Sequence, residues 1–489
     1  MSPKGLEVWC RLTHVRQRWR CVVLSSPVRL NLRLVCTGIA YPGEVLYCWP
    51  TLPIIIEEGW LDYTHWQPSS LKVKNAITAL TGKHRDRDCQ ISFRDLGISQ
   101  LDSFTGLMQD PFPMLTHLEL SSRDESATVI SDSLLGGSSP LLRSLCFSSI
   151  SFPALPNLLL STNNLVHLRL RKIYHSGYIS PELMVTYLSS LTGLKTLDLS
   201  FLSPRSRPNL SARHPSSFTR VDLPALTEFF FHGVSEYIED LVARINAPLL
   251  SHVWIAFFNQ LLFDLSHISQ FIGRIENFKA LRQSQVYFND GLASVKLSSF
   301  EKTVDSTRTL MFYIKCTPLE WQPSSLVQVC CPFLSPLQRP LESLHIGHFY
   351  TQPQVWRDDL ESIQWLELLR PFITVKNLYL FGELSPPIAC ALQELTRERA
   401  TEVLTALQGI HIQLYHELGP VRRILTPFIA ARQLSGYPVS VNHSKRILKV
   451  DGWYWSERPP SSGQLNFTPQ KELAASLSGH PQPMDAGLG

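Results

Sequence analysis

At 489 residues the chain is long enough for one large core or several, and a hydrophobic share of 44% against 18% charged residues excludes wholesale disorder. Its 45 basic and 41 acidic residues leave a net charge of +4, too little for the field that gathers nucleic acid or an anionic membrane. Every apolar run is broken before it reaches the roughly 18 residues of a membrane span, and the 10 cysteines include no C-x-x-C pair. No membrane, nucleic-acid, metal or cofactor role is therefore expected. Lys4, Glu7, Arg11, Arg16, Arg18 and Arg20 interrupt any secretory leader, so a reducing compartment, cytoplasmic or nuclear, is the expectation.

The chain opens on a short amphipathic helix. Trp9, Leu12, Val15 and Trp19 recur at three, three and four residues and share one helical face, while Arg11, Arg16, Arg18 and Arg20 are left outside it. Ser25, Ser26 and Pro27 stop this helix, and the strand-like "NLRLVC" follows. Further on, "KHRDRD" at 83–88 contains His-Arg-Asp, but no glycine-rich loop precedes it and no Asp-Phe-Gly follows, so it is read as the turn before the strand "CQISF".

From there one pattern returns along the chain: L-x-x-L-x-L or an apolar equivalent, beginning at Leu115, Leu142, Leu165, Leu194, Leu226 and Leu250, then at Leu341, Val375 and Leu407. The alternation of a strand turns the second and third apolar residues to one face, and the first anchors the turn before it. The intervals are 27, 23, 29, 32 and 24 residues, then 34 and 32.

Between these strands the returns read as helices. In 180–193, Ser180 is an N-cap and Pro181 the first helical residue, with a stripe at Leu183, Tyr187, Leu188 and Leu191 and Gly193 at the end. In 235–245, Ile238, Leu241, Val242 and Ile245 share a face, as do Ile388, Leu392 and Leu395 in 385–395. The segment 203–218, rich in Pro, Ser and Arg, is expected to be a loop. The hexapeptide lapses between Leu250 and Leu341, yet Leu310, Phe312 and Ile314 alternate with Met311, Tyr313 and Lys315, so continuing sheet, with a hairpin in it, is expected there.

This pattern resembles the leucine-rich repeat family in an irregular form, most clearly over residues 85–440. The resemblance implies an α/β solenoid with a parallel sheet on its concave face. The organisation expected is a helical segment at 1–30, repeats at 31–455 and a disordered tail at 456–489. The opening stretch is similar to the C-terminal half of an F-box, as found in mushroom-forming fungi joined to irregular repeats of this kind. Trp9, Leu12, Val15, Trp19, Arg20 and Pro27 occupy matching positions, and the resemblance implies docking on a Skp-type adaptor of a cullin ligase. Only "MSPKGLEV" precedes Trp9, so the first helix of such a module is missing from the expected pattern. The same apolar face also suits a helical cap closing the open end of a repeat array.

The outward residues of each strand should line a binding surface. They are His117 and Glu119; Ser144 and Cys146; His167, Arg169 and Arg171; Thr196 and Asp198; Glu228, Phe230 and His232; and His252 with Trp254. Ser343 and His345, then Asn377, Tyr379 and Phe381, then Gly409, His411 and Gln413 complete the set. Aromatic rings beside arginines are the composition of protein-binding hot spots. With no catalytic constellation in the sequence, the expectation is a non-enzymatic substrate receptor of a Skp, cullin, F-box ubiquitin ligase that holds an unidentified protein. The alternative is an interaction scaffold with no ubiquitin role.

Overall fold

A computed structural model describes residues 34–37, 53–57, 85–124, 130–131, 133–151, 156–208, 220–260, 262–289, 291–299, 308–316, 321–334, 341–348, 361–395, 397–413 and 419–443. All belong to the compact unit spanning residues 1–444. The helix expected at 9–20, most of the loop at 203–218 and the tail from 456 lie outside the described residues.

The chain is α/β, with strands and helices in alternation. The first strands are β1 (Leu34–Thr37), β2 (Ile54–Glu57), β3 (Asp88–Leu96), β4 (His117–Ser122), β5 (Ser144–Ser148), β6 (His167–Ile173) and β7 (Thr196–Phe201). They are followed by β8 (Val221–Asp222), β9 (Glu228–Gly233), β10 (Ile245–Asn246), β11 (His252–Phe257), β12 (Gln283–Asn289), β13 (Leu292–Ser298) and β14 (Thr309–Lys315). The last are β15 (Ser343–His348), β16 (Asn377–Phe381), β17 (Gly409–Gln413) and β18 (Ser440–His443).

The α-helices among the described residues are α1 (Ile98–Leu107), α2 (Pro156–Ser161), α3 (Pro181–Leu188), α4 (Ser235–Ala243) and α5 (Ser266–Gly273). After them come α6 (Gln322–Leu334), α7 (Ser362–Leu369), α8 (Ser385–Gln393) and α9 (Gly419–Leu434).

Sixteen of the strands form one sheet, in the order β1-β2-β3-β4-β5-β6-β7-β9-β11-β14-β13-β12-β15-β16-β17-β18, and β8 pairs with β10 apart from it. Neighbours are parallel except where β13 lies antiparallel to β12 and β14. The strands that carry the hexapeptide stack in one register: Leu118 meets Leu145, which meets Leu168, then Leu197, Phe229 and Val253. Each of these residues is buried, as are the second inward residues Leu120, Phe147, Leu170, Leu199, Phe231 and Ile255.

The first hexapeptide residue has a repeated job. At Leu115, Leu142, Leu165, Leu194, Leu226, Leu250, Val375 and Leu407 the backbone N–H donates to the carbonyl three residues earlier, closing a tight turn over a buried side chain. The next residue then bonds the preceding turn, as in Thr116 N to Cys89 O, Arg143 N to Thr116 O and Val166 N to Arg143 O. These bonds satisfy turn amides that burial would otherwise leave without partners.

Helices return the chain and pack on their successors. Ser180 caps α3, its hydroxyl accepting from Leu183 N, and Pro181 opens the helix as expected. The stripe is shifted from the expected one: Met184, Tyr187 and Leu188 are buried, whereas Leu183 is 51% exposed. Met184, Tyr187, Leu188 and Leu191 repeat at three, four and seven residues, so Leu183 falls one position, about 100°, off the face. Ile238, Leu241, Val242 and Ile245, and likewise Ile388, Leu392 and Leu395, are buried as read.

Helix α5 has no side-chain cap of its own. Glu239 of α4, 3% exposed, supplies one across the helix pair: its carboxylate accepts from His267 N and Ile268 N, both at 2.8 Å. A negative charge at a helix N-terminus is favourable, and here it ties one unit to the next.

The lapse between Leu250 and Leu341 is a meander inserted into the parallel array. Chain leaving β11 skips two places, forms β12, turns back through β13 and lays β14 beside β11. Asn289 stands opposite Leu292, and Gly291, at φ +83°, closes the connection in a conformation that favours glycine. Leu310, Phe312 and Ile314 point into the core, as their alternation implied.

Candidate binding face of the sheet

The strand positions between the core residues share the other face, and the pairing register sets them out in rows. The central row runs Ser92, Glu119, Cys146, Arg169, Asp198, Phe230, Trp254, Met311, Lys296, Gln285, His345, Tyr379, His411 and Asn442. Every site residue expected on the repeats therefore lies on one face, and the insertion adds more to it.

Across β3 to β9 several charged groups of the face bond to one another or to hydroxyls. Arg94 grips Glu119 with two bonds, Nε to Oε1 at 2.9 Å and Nη2 to Oε2 at 3.0 Å, and Ser92 Oγ donates to the same carboxylate. Arg171 Nε donates to Asp198 Oδ2 at 2.6 Å, and Arg169 stands in register with Asp198. Burial pushes the Asp198 carboxyl up, against the pull of Arg171 and Arg169. Thr196 Oγ1 donates to Glu228 Oε2 at 3.1 Å, which leaves it to accept from His167 Nδ1, also at 3.1 Å. His167 is held below its usual range by burial and by Arg169. His117 is exposed at the outer edge of this region.

Not all of these residues line the face as freely as expected. Cys146, Thr196, Asp198, Ser343 and His345 are buried, at 8%, 2%, 7%, 3% and 8% exposure. Cys146, Thr196, Asp198 and Ser343 are short, whereas His345 is covered by the rings of Tyr379 and Phe381; burial, then Glu119, drives the Cys146 thiol up to about 11, away from the range of a thiolate nucleophile.

From β9 onward rings replace ion pairs. Phe230 and Trp254 lie 6.0 Å apart, and Trp254 stacks on Tyr313 at 5.0 Å with planes 17° from parallel. Trp254 keeps 40% of its surface open. His232 bonds Ser200 through Nδ1 and rests on Phe258 at 4.5 Å; burial and Lys315 lower it to about 3. His252 pairs with Ser251.

A second stack runs His345, Tyr379, His411 at 4.3 and 4.4 Å, with planes within 12° of parallel, and Phe381 lies 5.9 Å from His345. Gln283 Nε2 donates to His345 Nε2 at 2.9 Å, which leaves the proton of the neutral imidazole on Nδ1. Burial, then His411, bring His345 down to about 4.

Met311, Tyr313, Lys315, Lys296, Gln285 and Tyr287 are the face residues that the hexapeptide did not point to, because the strands bearing them lack it. The alternation at 310–315 already marked three of them.

No group of three metal-ligating side chains occurs among the described residues, and none of their helices is long and apolar enough to cross a membrane. Compared with protein families and with curated proteins, the chain matches none.

Proposed function

We propose that the chain is a non-catalytic receptor for another protein: an irregular leucine-rich-repeat solenoid whose outward sheet face grips the ligand, delivering it to a Skp, cullin, F-box ubiquitin ligase. The observation that carries the receptor reading is the register itself. It gathers the outward residues of many strands into one continuous face, and its central rings, Phe230, Trp254, Tyr313 and Tyr379, are the residue types that dominate protein-binding energy. The ligase part of the reading rests on the F-box-like residues Trp9, Leu12, Val15, Trp19, Arg20 and Pro27. Catalysis by the chain itself is not needed: holding a substrate near a transferring enzyme raises its effective concentration.

The test is capture of a purified Skp-type adaptor by the full chain and by a Val15→Asp, Trp19→Ala variant. Adaptor bound by the first and lost by the second supports the reading. Equal absence from both removes the ubiquitin role and leaves an interaction scaffold.

A further inference from the structure

The eight strands β11–β18 contain Lys296 and Lys315 and the histidines His252, His345, His348, His411 and His443, but not one Asp or Glu. On β3 to β9, by contrast, Glu119 and Asp198 are bound by arginines. Lys296 and Lys315 are half-buried, and neither forms an ion pair among the described residues; Lys315 lies over the Phe258 ring at 5.6 Å. Burial lowers the pKa of both ammonium groups.

Their surroundings are built rather than loose. Lys296 stands in register between Met311 and Gln285, and Lys315 lies two outward positions beyond Met311 on β14. Between the two levels sits Tyr313, stacked under Trp254. On the other side Gln285, 4% exposed, leaves Oε1 without a partner, and His345, 8% exposed, leaves Nδ1 without one. A buried acceptor and a buried donor on adjacent strands are what the N–H and C=O of a bound peptide backbone would satisfy.

We infer that the face of β11, β14, β13 and β12 binds an acidic peptide segment of the partner protein, with carboxylates on Lys296 and Lys315 and an aromatic side chain between them on the Trp254–Tyr313 pair. The two lysine levels are separated by four residues of strand, roughly 13 Å, so the carboxylates of an extended peptide stand about four residues apart. Nucleic acid fits poorly: it needs a continuous track of cations along its backbone, and the histidine stack here is neutral. The inference rests on the reading of this face as a protein-binding surface and is independent of the adaptor.

The experiment uses short fluorescein-labelled peptides with a Glu-Gly-Phe-Gly-Glu core, and the same peptides with Gln or Lys in place of Glu, titrated with the full chain by anisotropy. The Glu probe should bind about tenfold more tightly than the Gln probe, and added salt should shrink the difference. Lys296→Gln with Lys315→Gln should abolish it, whereas Lys296→Glu with Lys315→Glu should transfer the preference to the Lys probe, an exchange no general loss of structure produces. Lys279→Gln, off the sheet in the segment Glu276–Ala280, should leave it within about twofold. Equal binding of Glu and Gln probes, a preference that survives in the double Gln variant, or tighter binding of oligothymidylate than of the Glu probe overturns the inference. A peptide preference without adaptor capture discards the ligase reading alone; adaptor capture without the preference discards this site alone.

Discussion

The two halves of the outward face are made by the same strand geometry and solve the problem of surface charge in opposite ways. Within β3 to β9 three carboxylates of the face have an arginine or hydroxyl on a neighbouring strand: Glu119 has Arg94 and Ser92, Asp198 has Arg171, and Glu228 has Thr196. On β11 to β17 two ammonium groups sit among rings with no carboxylate in the strands at all. Ion pairs and hydroxyl bonds in the first half hold strands in register; Lys296 and Lys315 in the second form none among the described residues. A shared outward face therefore does not imply identical use, and the polar partners of a residue say more about its role than its place in the row.

The sharpest way to break this comparison is to remove a charge from each half and weigh the folded state. Asp198→Ala strands Arg171 in a largely buried site and is expected to cost about 3 kcal/mol in urea unfolding, because an uncompensated charge remains. A cost within about 0.5 kcal/mol would show that the ion pair does not hold the first half together.

A smaller effect comes from pH and belongs to the second half. His345 is held at about 4 in the folded chain against an ordinary value of 6.5, chiefly by burial and then by His411, with Gln283 and Tyr379 against its ring. Between these values the unfolded chain binds more protons than the folded one, so stability rises with pH. The full contribution is present above pH 6.5 and is lost as pH falls toward 4. Near pH 5 the loss from this residue is about 2 kcal/mol, and His345→Gln should remove that part of the acid sensitivity in a denaturation series. His232, lowered to about 3, adds a further loss of the same sign that this substitution leaves in place.

Least in size but most pointed is the reversal expected at the lysines. Lys296→Met or Lys315→Met should raise stability by about 0.5 kcal/mol, since each relieves a half-buried charge that has no ion pair among the described residues, while weakening binding of the acidic probe. Destabilisation would place the lysines in the framework with Arg94 and Arg171.

Much of this was readable from residue spacing. The nine hexapeptides mark buried first residues and correctly paired strands because each is a local signal: a turn, then strict alternation. The face residues from His117 to Trp254 followed from the same alternation. The meander was only half legible. Alternation identified β14, and "NDGL" at 289–292 is a two-residue hairpin signal, but the placement of β14 beside β11 depends on pairing between strands some fifty residues apart, which no local pattern encodes. Lys296 and Gln285 were missed for that reason. Glu239 was missed for another: its helical position reads as an ordinary polar site, and only packing reveals that it caps α5 on the next unit. Leu183 shows the limit of counting, where a one-residue choice of stripe decides which leucine is buried.

The central claim is that the outward face holds its ligand on the half that does not neutralise itself. Carbodiimide cross-linking joins a peptide's carboxylates directly to lysine amines, so mapping the products of the bound Glu probe by mass spectrometry locates the contact. The account predicts linkage at Lys296 and Lys315. Linkage confined to Lys195, just before β7, and Lys279, in the 3-10 helix Glu276–Ala280, would contradict it.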